Sequence, residues 1–176
     1  MKRIIQRRYI KKALAQGKGL DTPPPSLRVG QLMYLQKASQ WNLLELCRDF
    51  FIQKGADWHL LIYLNSSKIS IPEAYVNAPW LSIISSEDVN WFGLPHPHKV
   101  RKFLSHEYHV VLNTSHQECF SLLYTLAQAY SVFKIGGEES SLTPLDFYDV
   151  VLGNSEKDEE YWSLITQCLS IIKPEI

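Results

Sequence analysis

Short apolar runs alternate with longer amphipathic stretches along most of this chain, and that alternation constrains the fold more than any other feature. The clearest run is Trp58 to Leu64 (WHLLIYL), apolar almost throughout, as expected of a strand buried on both faces of a sheet. Ahead of it, Leu27 to Leu35 reads as a first strand. Trp41 to Phe51 reads as a helix, because Leu43, Leu44, Cys47, Phe50 and Phe51 recur at helical spacing, and Gly55 closes it. Trp80 to Ile84 is a shorter third strand. After a Trp/Pro-rich loop come a short helix from His98 to Leu104 and a fourth strand from Tyr108 to Leu112. Ser115-x-x-Glu118 matches a capping box, which predicts a helix through Cys119, Phe120, Leu122, Leu123, Leu126 and Ala127. Ser131 to Ile135 is a fifth strand, stopped by Gly136-Gly137. Thr143-Pro144-x-Asp146 is another helix-start signal, in conflict with Phe147 to Leu152, which reads as a sixth strand. Residues 156–172 carry Tyr161, Leu164, Ile165, Cys168 and Ile172 on one stripe and form a last helix. Strands that alternate with helices need crossover connections, so the pattern predicts a three-layer, doubly wound, Rossmann-like α/β domain with a mostly parallel sheet of five or six strands.

The formal charge of zero conceals a division. Seven of the 18 basic residues fall in the first twenty positions, ahead of any acid: Lys2, Arg3, Arg7, Arg8, Lys11, Lys12 and Lys18. All 18 acids and the other 11 bases lie in residues 21–176. At 100° per residue, residues 2–15 form a helix with Ile5, Tyr9, Ile10 and Ala13 on one side and Arg7, Arg8, Lys11 and Lys12 on the other. Gly17, Gly19 and Pro23-Pro24-Pro25 end it. The organisation is therefore a basic helical arm with a Pro-rich connector over residues 1–25 and a single α/β domain over 26–176. A cationic arm on an acidic body points to a polyanion: nucleic acid, membrane surface or acidic partner.

In an open parallel sheet ligands collect at the carboxyl ends of the strands, and here those ends offer Asn65, Ser85, Asn113, Ser115 and Gly136 as ligand-loop candidates. The same residue types are common in turns and caps. Gln36-Lys37-Ala38-Ser39 lacks the glycines of a phosphate-binding turn, and Glu138 and Glu139 after Gly136-Gly137 would repel a phosphate. His96, His98, His106, His109 and His116 crowd one third of the chain without the paired spacing of a zinc site, and no serine sits in a nucleophile elbow. Trp91, His96, His98, Lys99, Arg101 and Lys102 mix cations with aromatic faces and form a second candidate surface. Cys47, Cys119 and Cys168 each fall in an apolar helical pattern and read as buried thiols. The basic start lacks an apolar signal region, and no stretch reaches the roughly 20 apolar residues of a membrane span. The expected compartment is the cytoplasm.

Ser86-Glu87-Asp88-Val89-Asn90-Trp91-Phe92-Gly93, Tyr108 to Asn113 and Phe133-Lys134-Ile135-Gly136 resemble an uncharacterised bacterial family of the Bacteroidetes group, a domain of unknown function. That resemblance implies no activity. Val110 to Gly137, a strand, a Leu/Ala-rich helix and a short strand ending in glycine, is similar to the N-terminal half of ADP-heptose-type glycosyltransferases. This likeness implies the fold, while the second half that binds the nucleotide sugar has no room in 176 residues.

These readings lead to one expectation and three alternatives. The expectation is a non-catalytic cytoplasmic protein without cofactor or metal, whose basic helix contacts RNA or the ribosome. The alternatives are a nucleotide- or sugar-nucleotide-binding enzyme with a degenerate site, a peripheral protein whose Ile5, Tyr9, Ile10 and Leu14 enter an anionic membrane surface, and a helix that packs on its own body or a second subunit.

Overall fold

A computed structural model describes residues 2–16, 24–66, 69–115, 117–137, 141–144, 146–152, 162–163 and 165–167. Its elements are α1 (Lys2–Gln16), β1 (Arg28–Leu35), α2 (Gln40–Gln53), β2 (Asp57–Leu64), β3 (Leu81–Ser85), α3 (Pro97–Leu104), β4 (Glu107–Asn113), α4 (Phe120–Gln128), β5 (Tyr130–Gly136) and β6 (Val150–Val151). The six strands form one sheet in the order β3-β2-β1-β4-β5-β6, and every neighbouring pair is parallel. The doubly wound α/β expectation is met.

Both faces of the sheet are covered, which is why its strands read as continuous apolar runs. On one face α1, α3 and α4 bury Ile10, Val100, Phe103, Leu122 and Leu126 against Leu32, Leu61, Ile84 and Val111. On the other, α2 buries Trp41, Leu44, Cys47 and Phe51 against Met33, Trp58, Leu60, Ile62 and Leu112. Residues 162–163 and 165–167 are helical and lie on that second face, with Ile165 buried and Trp162 packed edge-on against Phe50 and Phe51. The rest of the expected last helix, including Cys168, lies outside the described residues. Gly55 ends α2 as expected: its φ of 68° is the left-handed conformation glycine tolerates, and its amide donates to Ile52 O.

One polar chain crosses this apolar interior. Trp58 Nε1 donates to Gln31 Oε1 (3.1 Å), Gln31 Nε2 to Thr114 Oγ1 (3.1 Å), and Thr114 Oγ1 to Leu32 O (3.1 Å). It ties β1 to β2 and to the end of β4 and leaves the buried carboxamide satisfied, as a dry core requires.

Two local signals lose to tertiary pairing. Ser115-x-x-Glu118 does not cap α4, which starts at Phe120 behind Cys119 without any side-chain cap. Ser115 Oγ instead accepts from the Tyr34 amide of β1 (3.1 Å). A capping box does form at Ser85 and Asp88, at the same spacing, on the 3₁₀ turn after β3. Nor does a helix begin at Thr143. Phe147 and Tyr148 are buried, and Asp149 latches onto β5 through its amide to Lys134 O (2.8 Å) and its carboxylate from the Lys134 amide (2.6 Å). The sixth strand expected over 147–152 is realised only as Val150–Val151.

Candidate polyanion-binding surface

Strand order reverses between β1 and β4, and the crevice beyond their carboxyl ends is where this architecture ordinarily takes a ligand. Here the chain's own groups occupy it. Gln40 Oε1 accepts from the amides of Gln36 (2.8 Å) and Lys37 (3.2 Å), the two N–H groups of the β1–α2 turn that would otherwise face a phosphate. Tyr34 OH donates to Asn65 Oδ1 (2.6 Å), and Ser85 Oγ donates to Asp88 Oδ2 (3.0 Å). Asn113 Nδ2 donates to Tyr148 OH (2.8 Å), and its Oδ1 accepts from the Ser115 amide. Tyr148 also explains Gly136: a Cβ there would collide with the ring. All five ligand-loop candidates lie along one edge, and each is engaged within the chain.

The two described thiols, Cys47 and Cys119, are buried. Burial pushes Cys47 up to about 12 and Cys119 up to about 11, so both stay protonated at neutral pH and are poor nucleophiles.

Helix α1 is a docked part of the domain. Ile10 is fully buried, Ala13 and Gln6 are buried, and Gln6 Nε2 donates to Phe92 O (2.8 Å). Tyr9 packs against Phe92 and edge-on against Tyr124 of α4. This packing fixes the helix and turns its other side outward. Arg7, Arg8, Lys11 and Lys12 are exposed there, Lys2 is exposed at the first turn, and among the described residues no carboxylate lies within ion-pair distance of any of them. Arg3 differs: it reaches Ser141 Oγ (3.3 Å) and Glu118 (3.9 Å), a solvent-exposed pair that contributes at most about 1 kcal/mol. Lys18 lies outside the described residues.

The second candidate surface divides. Lys99 pairs with Asp88 (2.9 Å), and together with the Ser85 amide and hydroxyl it outweighs burial, which alone would raise that carboxyl, and holds it below the usual range. Lys102 Nζ donates to Ala78 O and Leu81 O at the start of β3. Both lysines therefore serve the fold. Trp91, His96, His98 and Arg101 remain exposed, the two imidazoles lying parallel at 5.9 Å. His96 and Arg101 line a groove of about 500 Å³ between α3, α4 and the loop before α3, together with Asn90, the residue before Trp91, and with Leu94, Val100, Leu104, Tyr124 and Gln128.

Three histidines gather at the opposite, amino edge of the sheet, a cluster hidden from any local motif because His59 of β2 is far in sequence from His106, just before β4, and His109 of β4. His59 and His106 stack at 3.8 Å, Asp57 lies 3.1 Å from His59 Nε2, and Arg28 pairs with Asp57 (2.7 Å). His109, in β4 as expected, accepts the Arg28 amide on Nδ1. Burial lowers the pKa of all three imidazoles; for His59 it outweighs the Asp57 carboxylate, and for His106 the His59 ring adds to it. Among the described residues no group of three or more His, Cys, Asp or Glu side chains could hold a metal ion, and no helix is long and apolar enough to cross a membrane.

The molecule is thus a Rossmann-like α/β domain whose ligand-loop candidates are bonded within the chain and which carries an exposed cationic face on a docked helix and an exposed aromatic turn. The chain belongs to DUF6913, a family of unknown function whose profile matches residues 2–172. The resemblance to an uncharacterised family is therefore met across nearly the whole chain. No curated protein and no solved structure matches it.

Proposed function

We propose that this protein is a non-catalytic cytoplasmic binding protein that presents the outer face of α1 to a polyanion, RNA or the ribosome. One observation carries the reading: Arg7, Arg8, Lys11 and Lys12 are exposed together on a helix held rigid by its buried side, with no carboxylate of the described residues to neutralise them. Residues 2–12 span roughly 15 Å along the helix axis, enough to track several phosphates. Docking adds to this, since a helix already fixed on the body loses little entropy when it binds.

The same face argues against a lipid anchor. Ile4 is the only large apolar side chain among its strongly exposed residues, so insertion into a headgroup layer would bury little. The filled carboxyl edge argues against a nucleotide-binding enzyme.

Replacing Arg7, Arg8, Lys11 and Lys12 together with glutamine tests the reading in an electrophoretic shift against total RNA. Because none of these four side chains makes a hydrogen bond or ion pair among the described residues, the variant should keep the wild-type melting temperature. Its affinity at low salt falls by roughly 100-fold, the share expected of four phosphate contacts. Undiminished binding would contradict the proposal.

A further inference from the structure

A tightly bonded turn holds Trp91 in solvent. Asn90 donates its amide to Leu94 O (2.9 Å), Gly93 donates to Asn90 O (2.8 Å), and Asn90 Oδ1 accepts the amides of Phe92 and Leu94, both at 3.0 Å. Val89 and Pro95 pair across its base, and Gly93 takes a φ of 88° that a side chain would strain. The turn points two neighbouring aromatics opposite ways. Phe92 packs inward on Tyr9, while Trp91 is 85% exposed, more than any other large apolar side chain among the described residues.

We propose that Trp91 and the adjoining groove bind unpaired bases of a single-stranded RNA whose phosphates lie along α1. The inference rests on the polyanion reading and names the form of nucleic acid. A rigid indole in water is a stacking platform, because every base presents a π-face. The groove beside it has apolar walls in Leu94, Val100 and Leu104, and its one formally charged lining residue is Arg101, a cation that suits a phosphate-linked chain. Its volume is that of a small-ligand cleft. The turn and the helix adjoin: Phe92, next to Trp91, and Tyr124, in the groove wall, both pack on Tyr9 of α1, and Lys12, three residues on from Tyr9, is its neighbour on the helix surface. A duplex would satisfy α1 but keeps its bases stacked inside. A single strand can use both surfaces.

Fluorescence anisotropy with an oligouridine strand and with a duplex RNA of equal length, on wild type and Trp91→Ala, provides the test. Trp91→Ala should weaken the single strand by roughly 5- to 150-fold, the range for loss of a stacked base, and leave duplex affinity, salt slope and melting temperature unchanged. Trp91→Phe should retain most of the affinity. Equal single-strand affinity in Trp91→Ala, or an equal loss for both RNAs, overturns the base platform and leaves the α1 reading standing. Binding of neither RNA by wild type overturns both. RNA binding that ignores Trp91, with a protein captured through it, assigns the ring to a protein partner and also overturns the inference.

Discussion

The carboxyl edge of the sheet and the outer face of α1 treat polar groups in opposite ways. At the edge, the described candidates for a ligand are already bonded: Gln40 covers two amides, Asn65 takes Tyr34, and Asn113 takes Tyr148. On α1, Arg7, Arg8, Lys11 and Lys12 stand together without charged partners among the described residues. A saturated surface gains little from a ligand, because every new hydrogen bond must first break an old one. An unsaturated one gains from the first phosphate it meets. The fold alone points to the edge, and the bonding state of its groups moves the candidate site to the helix.

This comparison breaks first if α1 is a loose arm. Ile10→Ala removes a fully buried side chain and should cost about 2–5 kcal/mol. At this chain length that lowers the melting temperature by roughly 5–15 °C. An unchanged transition would mean the helix is not part of the core, and its charges would then lack a fixed arrangement. Next in size is Gly136→Ala, whose methyl would collide with the Tyr148 ring. Overpacking of this kind costs roughly 1–3 kcal/mol, measurable by urea denaturation, whereas an open ligand loop would accept alanine freely.

The edge itself is tested by Gln40→Ala, which strips the cover from the Gln36 and Lys37 amides and should cost about 0.5–1.5 kcal/mol. In wild type, nucleotides and nucleotide sugars should leave the thermal transition where it is. A clear upward shift with any of them would restore the edge as a site.

The smallest effect concerns acid. His59 and His106 have lowered pKa values in the fold, so the unfolded chain takes up their protons first as pH drops. Their contribution is complete above the ordinary histidine pKa near 6.5 and is lost as pH falls below it. Between pH 7 and pH 5 the melting temperature should therefore decline, and His106→Gln should remove about a degree or two of that decline. An identical pH profile in the variant would show that the stacked pair does not titrate with folding.

Much of the scaffold was legible because burial on both faces writes itself into the chain. Trp58 to Leu64 has no other reading than a central strand, and the observed boundaries of the first five strands lie within a residue or two of those expected. The failures share one cause. Ser115 carries a helix-start motif, but the Tyr34 amide of a distant strand claims its oxygen, and Phe147 and Tyr148 are drawn into the core before Thr143 can start a helix. Local motifs report local competition only. For the candidate site, the cations of α1 were plain in the sequence, whereas the docking that orients them depends on Gln6, a polar residue whose burial against Phe92 no periodicity reveals. Trp91 stood out by type. That Lys99 and Lys102 beside it are spent on Asp88 and on the β3 carbonyls could be seen only in three dimensions.

The salt dependence of RNA affinity tests the central claim most directly. The log–log slope of wild type should be steeper by about 2.8 to 3.6 than that of the Arg7, Arg8, Lys11, Lys12 to glutamine variant, since each of four phosphate contacts contributes about −0.7 to −0.9. Equal slopes for the two proteins would show that the cations of α1 meet no phosphate.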